Sequence, residues 1–443
     1  MIKYKRYERY KDSGVEWIGE IPEHWGVKPL KRVFKIINGG TPSSSEESYW
    51  NGEIVWVTPN DLSKLTEACI VDSERKITQD GLHNCSARIV PKGSIVISTR
   101  APIGYVAIAG VPLCTNQGCK SLVAINKVNP KYFYYWMHSI SFYLNVLGQG
   151  TTFIELSNSS LSMVELLTPS INEQKAIANF LDQKTAVIDG LIADKEKLIE
   201  LLQEKRQAII TEVVTKGLNP NVRMKDSGIE WIGEIPEHWE VCGFTKYISS
   251  IIDYRGKTPE KVDEGVFLVT AKNIKNGRID YSLSQEYVKS EEYEQIMRRG
   301  LPEIGDVVFT TEAPLGEVAN VDRTDVAFAQ RVIKFRGKVE KLDNYYLKYW
   351  IMSHGFQHDL QSYATGSTAT GIKASKLSKL IILLPRLEEQ KAIVNFLDQK
   401  TAEIDDLIFD INTQIQKLKE YRQSLISEAV TGKIDVRDYV VSN

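Results

Sequence analysis

The chain has 443 residues, 42% hydrophobic and 25% charged, with a formal net charge of −2; this is the composition of an ordinary soluble protein long enough for two or more cores. No run approaches the roughly 20 apolar residues of a bilayer span, and five scattered cysteines without a CxxC pair (Cys69, Cys85, Cys114, Cys119, Cys242) argue against a disulfide framework or zinc site and fit a reducing cytosol. The near-neutral charge gives no general attraction to nucleic acid, so any such contact must rest on local positive charge or on a partner.

The start, "MIKYKRYERY", is basic and aromatic without an apolar h-region, which argues against a secretory signal. Residues 11–25, "KDSGVEWIGEIPEHW", return at 225–239 as "KDSGIEWIGEIPEHW", with Val15 replaced by Ile229. Trp17, Trp25, Trp231 and Trp239 of this lead either anchor a partner or pack onto neighbouring helices. His24 and His238 have no sequence neighbours that would make them a catalytic set.

After the first lead come short β-rich segments ("EIVWVTPNDL", "SIVISTR", "KSLVAI") and an aromatic helix, "PKYFYYWMHSISFYLNVL". The second copy has "VFLVTAKNI", "DVVFTTE", "RVIKFRG" and "DNYYLKYWIMSHGFQHDLQSY". Tyr134, Trp136, Phe142, Tyr346 and Trp350 on these helices read as core residues. Between the segments lie polar, glycine-punctuated loops, the usual place for binding groups. Parts of the two middles still align: "GSIVISTRAPIGYVA" (93–107) with "GDVVFTTEAPLGEVA" (305–319), and "GQGTTFIELSNSSLSMVELLTP" (148–169) with "ATGSTATGIKASKLSKLIILLP" (364–385).

Each copy ends in a tail. "EQKAIANFLDQKTAVIDGLI" (173–192) recurs as "EQKAIVNFLDQKTAEIDDLI" (389–408), differing at three of twenty positions. Apolar residues at heptad spacing (Ile177, Leu181, Ile188, Leu191, Leu198, Leu202, Ile209; then Ile393, Leu397, Ile404, Leu407, Ile411, Leu418, Tyr421, Leu425) predict a coiled-coil seam. Lys184, Lys195, Lys205, Lys400 and Gln414 are its polar members, of the kind that fixes register. "SINE" (170–173) has the form of a capping box, and Gly217 and Gly432 stand where C′ glycines would. Each helix would be about 60 Å long at 1.5 Å per residue. The expected architecture is α+β: two pseudo-two-fold-related, mixed α/β recognition domains separated by two long antiparallel coiled-coil helices. The boundaries read as 1–170, 171–217, 218–386 and 387–433, with a tail at 434–443.

A search for catalytic chemistry returns little. No phosphate-binding G-x-x-x-x-G-K-[ST] loop is present, nor the "NPPF/Y" or "DPPY" segment with which amino-methyltransferases grip a base. "HGFQH" spaces His354 and His358 by four but lacks the glutamate of a zinc-protease helix. The "EQK" triplets at Glu173–Lys175 and Glu389–Lys391 match the E-x-K ending of many nucleases, yet they open helices, where acidic residues are expected for the dipole. The residues point to binding, with no catalytic group, cofactor site or metal site.

The duplicated lead, the "TP" and "APIG"/"APLG" loops and the tails "LLTPSINEQKAIANFLDQKTAVID" and "LLPRLEEQKAIVNFLDQKTAEID" resemble the specificity subunit (HsdS) of type I restriction–modification systems, over essentially the whole chain and twice in order. The resemblance implies a non-enzymatic subunit whose two target-recognition domains each read half of a bipartite, asymmetric site in double-stranded DNA. The helices would set the unread spacer, at most about 17 base pairs for a 60 Å strut. It implies docking of two HsdM subunits, which methylate adenine N6, and through them HsdR restriction subunits, in the cytoplasm and without a membrane. DNA-contact candidates carried over are Thr41, Pro42, Arg100, Gln117, Gln149, Thr151 and Thr152 in the first copy. In the second they are Lys257, Thr258, Thr311, Glu312, Gln330, Arg331, Ser367, Thr368 and Lys373. Arg100 aligns with Glu312, so that loop cannot make one contact twice: Arg prefers guanine, whereas Glu accepts from cytosine N4. A stand-alone sequence-specific DNA-binding protein is the alternative, and a nuclease built on the "EQK" groups the more distant one.

Overall fold

The computed structural model describes residues 4–100, 102–148, 154–254, 259–365 and 370–439. The chain divides into two compact units, one holding Met1–Asp194 and Thr413–Asn443, the other Lys195–Asn412. The long helices are therefore not segments apart from the two units: each contributes about half of its length to each of them.

In the first unit the lead folds as a hairpin of Tyr10–Asp12 with Glu20–Pro22. The main sheet contains β1 (Phe34–Asn38), β2 (Cys69–Ile70), β3 (Ile95–Ser98), β4 (Val106–Ala109) and β5 (Cys119–Ala124), in the order β1-β5-β3-β4-β2. β3, "IVIS", is buried at every position, as a central strand covered on both faces must be. Helix α1 (Pro130–Ser139) starts on the Asn129 side chain, which accepts from the Lys131 and Tyr132 amides, with Pro130 in the first turn. It packs on β3 and β4 and buries Tyr132, Phe133, Trp136 and Met137. Phe142, beyond its end, is 81% exposed and is not a core residue. Helix α2 (Ile171–Lys216) follows.

The second unit repeats the plan. Met224–Asp226 pairs with Glu234–Pro236, and β6 (Ile248–Asp253), β7 (Val307–Thr311), β8 (Leu315–Asn320) and β9 (Val332–Gly337) run β6-β9-β7-β8, the order of β1, β5, β3 and β4. Helix α3 (Asn344–Met352) buries Tyr346, Leu347, Trp350 and Ile351, and α4 (Leu387–Val430) closes the unit. Gly355 of "HGFQH" lies under Trp231, where an added Cβ would come within 2.4 Å of the ring. That histidine pair belongs to a packing motif.

The shared tail phrase is explained by contacts inside each unit. In the first, Ser170 and Glu173 form the anticipated capping box: the Ser170 amide and hydroxyl donate to Glu173 Oε2, and the Glu173 amide donates back to Ser170 Oγ. The other carboxylate oxygen meets His24 Nε2 at 2.7 Å and accepts from Trp25 Nε1 at 3.2 Å. Gln174 accepts from the Asn129 amide, fixing the start of α1, and the Tyr135 hydroxyl reaches Asp182 and Thr185. The second unit, where Arg386 stands in place of the capping serine, has the same lead and aromatic-helix contacts: Glu389 with His238 (2.8 Å) and Trp239 (3.1 Å), Gln390 with the Asp343 amide, and Tyr349 with Asp398 and Thr401. His24 and His238 thus do have carboxylate partners, and they belong to a latch tying the lead to the head of a helix.

Within the first unit, Arg422 makes a two-pronged ion pair with Asp189 (2.8 and 3.1 Å) while Tyr439 meets Phe180. Within the second, Arg206 faces Asp405 at 3.5 Å while Gly217 abuts Glu389. In each unit the paired segments therefore run in opposite directions. The C′ glycines Gly217 and Gly432 have φ of 76° and 72°, the left-handed cap that only glycine adopts cheaply. The heptad register is corrected in part: Leu191, Leu198, Leu407 and Tyr421 are exposed, whereas Ile192 and Ile415, outside the expected positions, are buried. An α-helix of 3.6 residues per turn drifts about 20° per heptad from a 3.5 repeat, so the buried stripe leaves the strict a/d positions. Lys205 and Gln414 are exposed and lie off the seam.

Burial pushes the Glu173 carboxyl up, but hydrogen bonds from His24, Ser170 and Trp25 outweigh it and hold the group below the usual carboxylate range. A depressed folded-state pKa contributes stability above the unfolded value, lost as pH falls through the folded one. Glu173→Ala should therefore cost about 2 kcal/mol at pH 7, the cost of leaving a buried indole N–H unpaired. In urea melts the gap from the parent should narrow below about pH 4; an equal cost at pH 7 and pH 3 would show that the charge is not what holds the latch.

Candidate nucleic-acid interface

The candidate site forms where the central strand of each main sheet ends. In the first unit the Thr99 amide donates to Gly118 O (2.8 Å) on one side, and Thr99 O accepts from the Leu156 amide (2.8 Å) on the other. In the second, the Thr311 amide donates to Arg331 O (2.9 Å), and Thr311 O accepts from the Ile372 amide (3.0 Å). Arg100 forms a β-bridge with Glu155, and Glu312 the equivalent one with Gly371. Both units thus carry one backbone junction of three segments: the turn before the last strand, the strand end, and the segment returning from the aromatic helices.

The side chains on that junction differ. In the first unit Arg100 Nε lies 3.0 Å from Glu155 Oε2, and Lys120, almost fully buried, donates to Leu156 O with Glu155 Oε1 3.9 Å away. Burial pulls the Lys120 ammonium down, Glu155 opposes this, and Arg100 adds to it. Thr41 donates to Gln117 Oε1, so the "TP" loop and the "TNQG" turn meet. In the second unit, Thr311, Glu312, Gln330, Arg331 and Lys373 line one cleft of about 310 Å³ together with Thr365, Gly371 and Ile372. Arg331 Nε is 2.6 Å from Glu312 Oε1. Arg331 has φ of 81°, a left-handed conformation in which a non-glycine residue stores roughly 1–3 kcal/mol of strain.

Five sequence candidates from the second copy therefore converge on one cleft, and Thr41, Arg100 and Gln117 fall on the matching junction of the first. Two candidates need correction. Pro42 is buried, and Thr311 is buried with its hydroxyl donating to Arg331 O at 3.2 Å; neither side chain is offered to a ligand. Gln149, Thr151, Thr152, Lys257, Thr258, Ser367 and Thr368 lie outside the described residues. Sequence reasoning missed Glu155, Lys120 and Thr365. Glu155 was within reach, because it aligns with Gly371 in the segments already matched.

The "EQK" carboxylates are committed to the lead latch described above. Among the described residues no cluster of three or more His, Cys, Asp or Glu is placed to hold a metal ion, and no helix is long and apolar enough to cross a membrane. The five cysteines are unpaired.

Known proteins bear on this arrangement. The family described as "Type I restriction modification DNA specificity domain" matches residues 22–201 and again residues 248–417. The MjaIX type I restriction enzyme specificity subunit of Methanocaldococcus jannaschii is 29% identical, covering 99% of both chains. The EcoBI specificity subunit of Escherichia coli is 23% identical over 92% of this chain and 80% of its own. A solved chain from a study of complex assembly and conformational transition of the type I R-M system superposes with a TM-score of 0.68 at 17% identity, over 93% of this chain and 98% of that one; this likeness is one of fold. With the family matched over both copies, the chain belongs to the DNA specificity subunits of type I restriction–modification systems.

Proposed function

We propose that each unit reads one half of a bipartite, asymmetric site in double-stranded DNA through the junction at the end of β3 or β7, and that the chain itself carries out no reaction. One observation carries this reading: the two junctions share a backbone, while their exposed side chains differ in identity and charge. That is the pattern expected when one scaffold is specialised for two base sequences, since sequence is read by side chains on base edges.

In this reading α2 and α4, of 46 and 44 residues, serve as the ruler for the unread spacer. Two HsdM subunits dock equivalently, one per copy, and HsdR subunits join through them, in the cytoplasm. Support comes from the leads. Their identity at His24 and Trp25 follows from the latch, and that of Asp12 and Asp226 from the turns in which they accept from the Gly14 and Gly228 amides, but Glu16, Glu20 and Glu23 are exposed and repeated unchanged as Glu230, Glu234 and Glu237. Packing within the unit does not require that, whereas binding the same partner twice would. The near-neutral chain would rely on the methyltransferases for part of the phosphate contact and for the base flipping that adenine methylation requires.

Methylome sequencing of cells expressing this chain with its HsdM should reveal adenine methylation at a single bipartite motif. No new motif, together with tight and specific gel shifts by the purified chain alone, would favour a stand-alone DNA-binding protein instead. Arg331→Gly separates stability from recognition. Relief of the left-handed strain should leave the melting midpoint unchanged or raise it by up to about 1 kcal/mol in stability. DNA binding with HsdM should weaken about tenfold or more, the low end for one bidentate base contact. Unchanged DNA binding would remove Arg331 from the interface.

A further inference from the structure

The two junctions differ in a correlated way. Taken across the turn, the strand end and the returning segment, the first unit presents Gly118, Arg100 and Glu155, and the second presents Arg331, Glu312 and Gly371. The strand-end charge has reversed sign, and its counter-ion has moved to the opposite flank. Glycine occupies the flank left vacant in each case. Both units thereby keep one guanidinium–carboxylate pair, with the arginine toward the turn and the glutamate toward the returning segment.

Stability does not account for this. The four side chains are between 38% and 49% exposed, and exposed ion pairs contribute about 0–1 kcal/mol. In each pair the closest contact joins arginine Nε to one carboxylate oxygen, and the second oxygen of Glu155 lies 3.9 Å from Lys120 Nζ, beyond hydrogen-bond distance; that contact leaves the two terminal amino groups of the guanidinium and the second carboxylate oxygen for a ligand. Two donors beside one acceptor complement the major-groove edge of a G·C pair, where guanine offers N7 and O6 and cytosine offers N4–H.

We infer that Arg100–Glu155 and Arg331–Glu312 are equivalent reading heads, each selecting one G·C pair in its own half-site, and that Glu155 is a specificity-determining residue. This rests on the proposed DNA-reading role. Exchanging Arg100 and Glu312 alone would set like charges against the resident partner, Glu155 or Arg331.

The test is methylome sequencing of cells carrying HsdM with the parent chain, Glu155→Gln or Glu312→Gln, both nearly isosteric. The parent should methylate a bipartite motif with a G·C pair in each half-site. Glu155→Gln should lower the preference for that pair about tenfold in one half-site only, and Glu312→Gln should do so in the other. Absence of any bipartite motif with the parent would sink the proposed function itself. A parent motif whose half-sites lack a G·C pair, or variant motifs identical to the parent's, would overturn only the present inference. Where a variant lowers methylation overall, gel shifts with the purified complex over all four base pairs at that position decide: unequal loss supports the reading heads, and equal loss overturns them.

Discussion

The structure depends on one carboxylate at the head of each long helix. Glu173 closes its own helix cap with one oxygen and holds the indole and imidazole of the lead with the other. Glu389 makes the same lead contacts in the second copy. A glutamate in the first turn is favoured there by the helix dipole and by unsatisfied amides. Here it also supplies the acceptor that a buried tryptophan N–H needs. The next residue, Gln174 or Gln390, fixes the first turn of α1 or α3. Two adjacent side chains thus join the lead, the aromatic helix and the long helix in each unit. Few substitutions at any of these positions would leave all three joined, which accounts for the near-identity of phrases so far apart in sequence.

The junctions that carry the exposed charge obey a different constraint. Their geometry is set by backbone hydrogen bonds from Thr99 and Thr311 to the segments on either side, and these do not depend on the neighbouring side chains. Residues there are free to change, provided that charges remain paired and no side chain blocks the approach of the segments. The exchange of glycine and counter-ion between the flanks meets both conditions. Arg331 keeps the guanidinium despite its unfavourable φ, whereas the first unit has glycine at the equivalent position. A strained non-glycine residue persists where its surroundings or its function require it.

Much of this was legible in the linear chain. The duplication, the capping box, the C′ glycines and the order of the recognition segments follow from local chemistry and from comparing one half with the other. The less legible features were those that depend on three-dimensional neighbours. Leu191 and Leu407 fit a heptad yet face solvent, because the period of a straight helix is not 3.5. Pro42 in its loop and Thr311 at the end of β7 belong to segments of the right character but are buried in the protein. His24 lacks a partner within its own phrase and finds one 149 residues away.

The sequence by itself determined that the chain is two copies of one plan, that each copy ends in a long capped helix, and that variation is concentrated in the middles. Those are properties of repetition and of period, which a linear text records. Only the tertiary structure decided that the repeated lead is a latch for the helix-head glutamate, and that each helix is shared between two compact units. It alone showed that Glu155 and Arg331 are alternative counter-ions on one junction. The physical reason is the same in each case: a hydrogen bond or ion pair is set by distance through space, and separation along the chain carries no record of it.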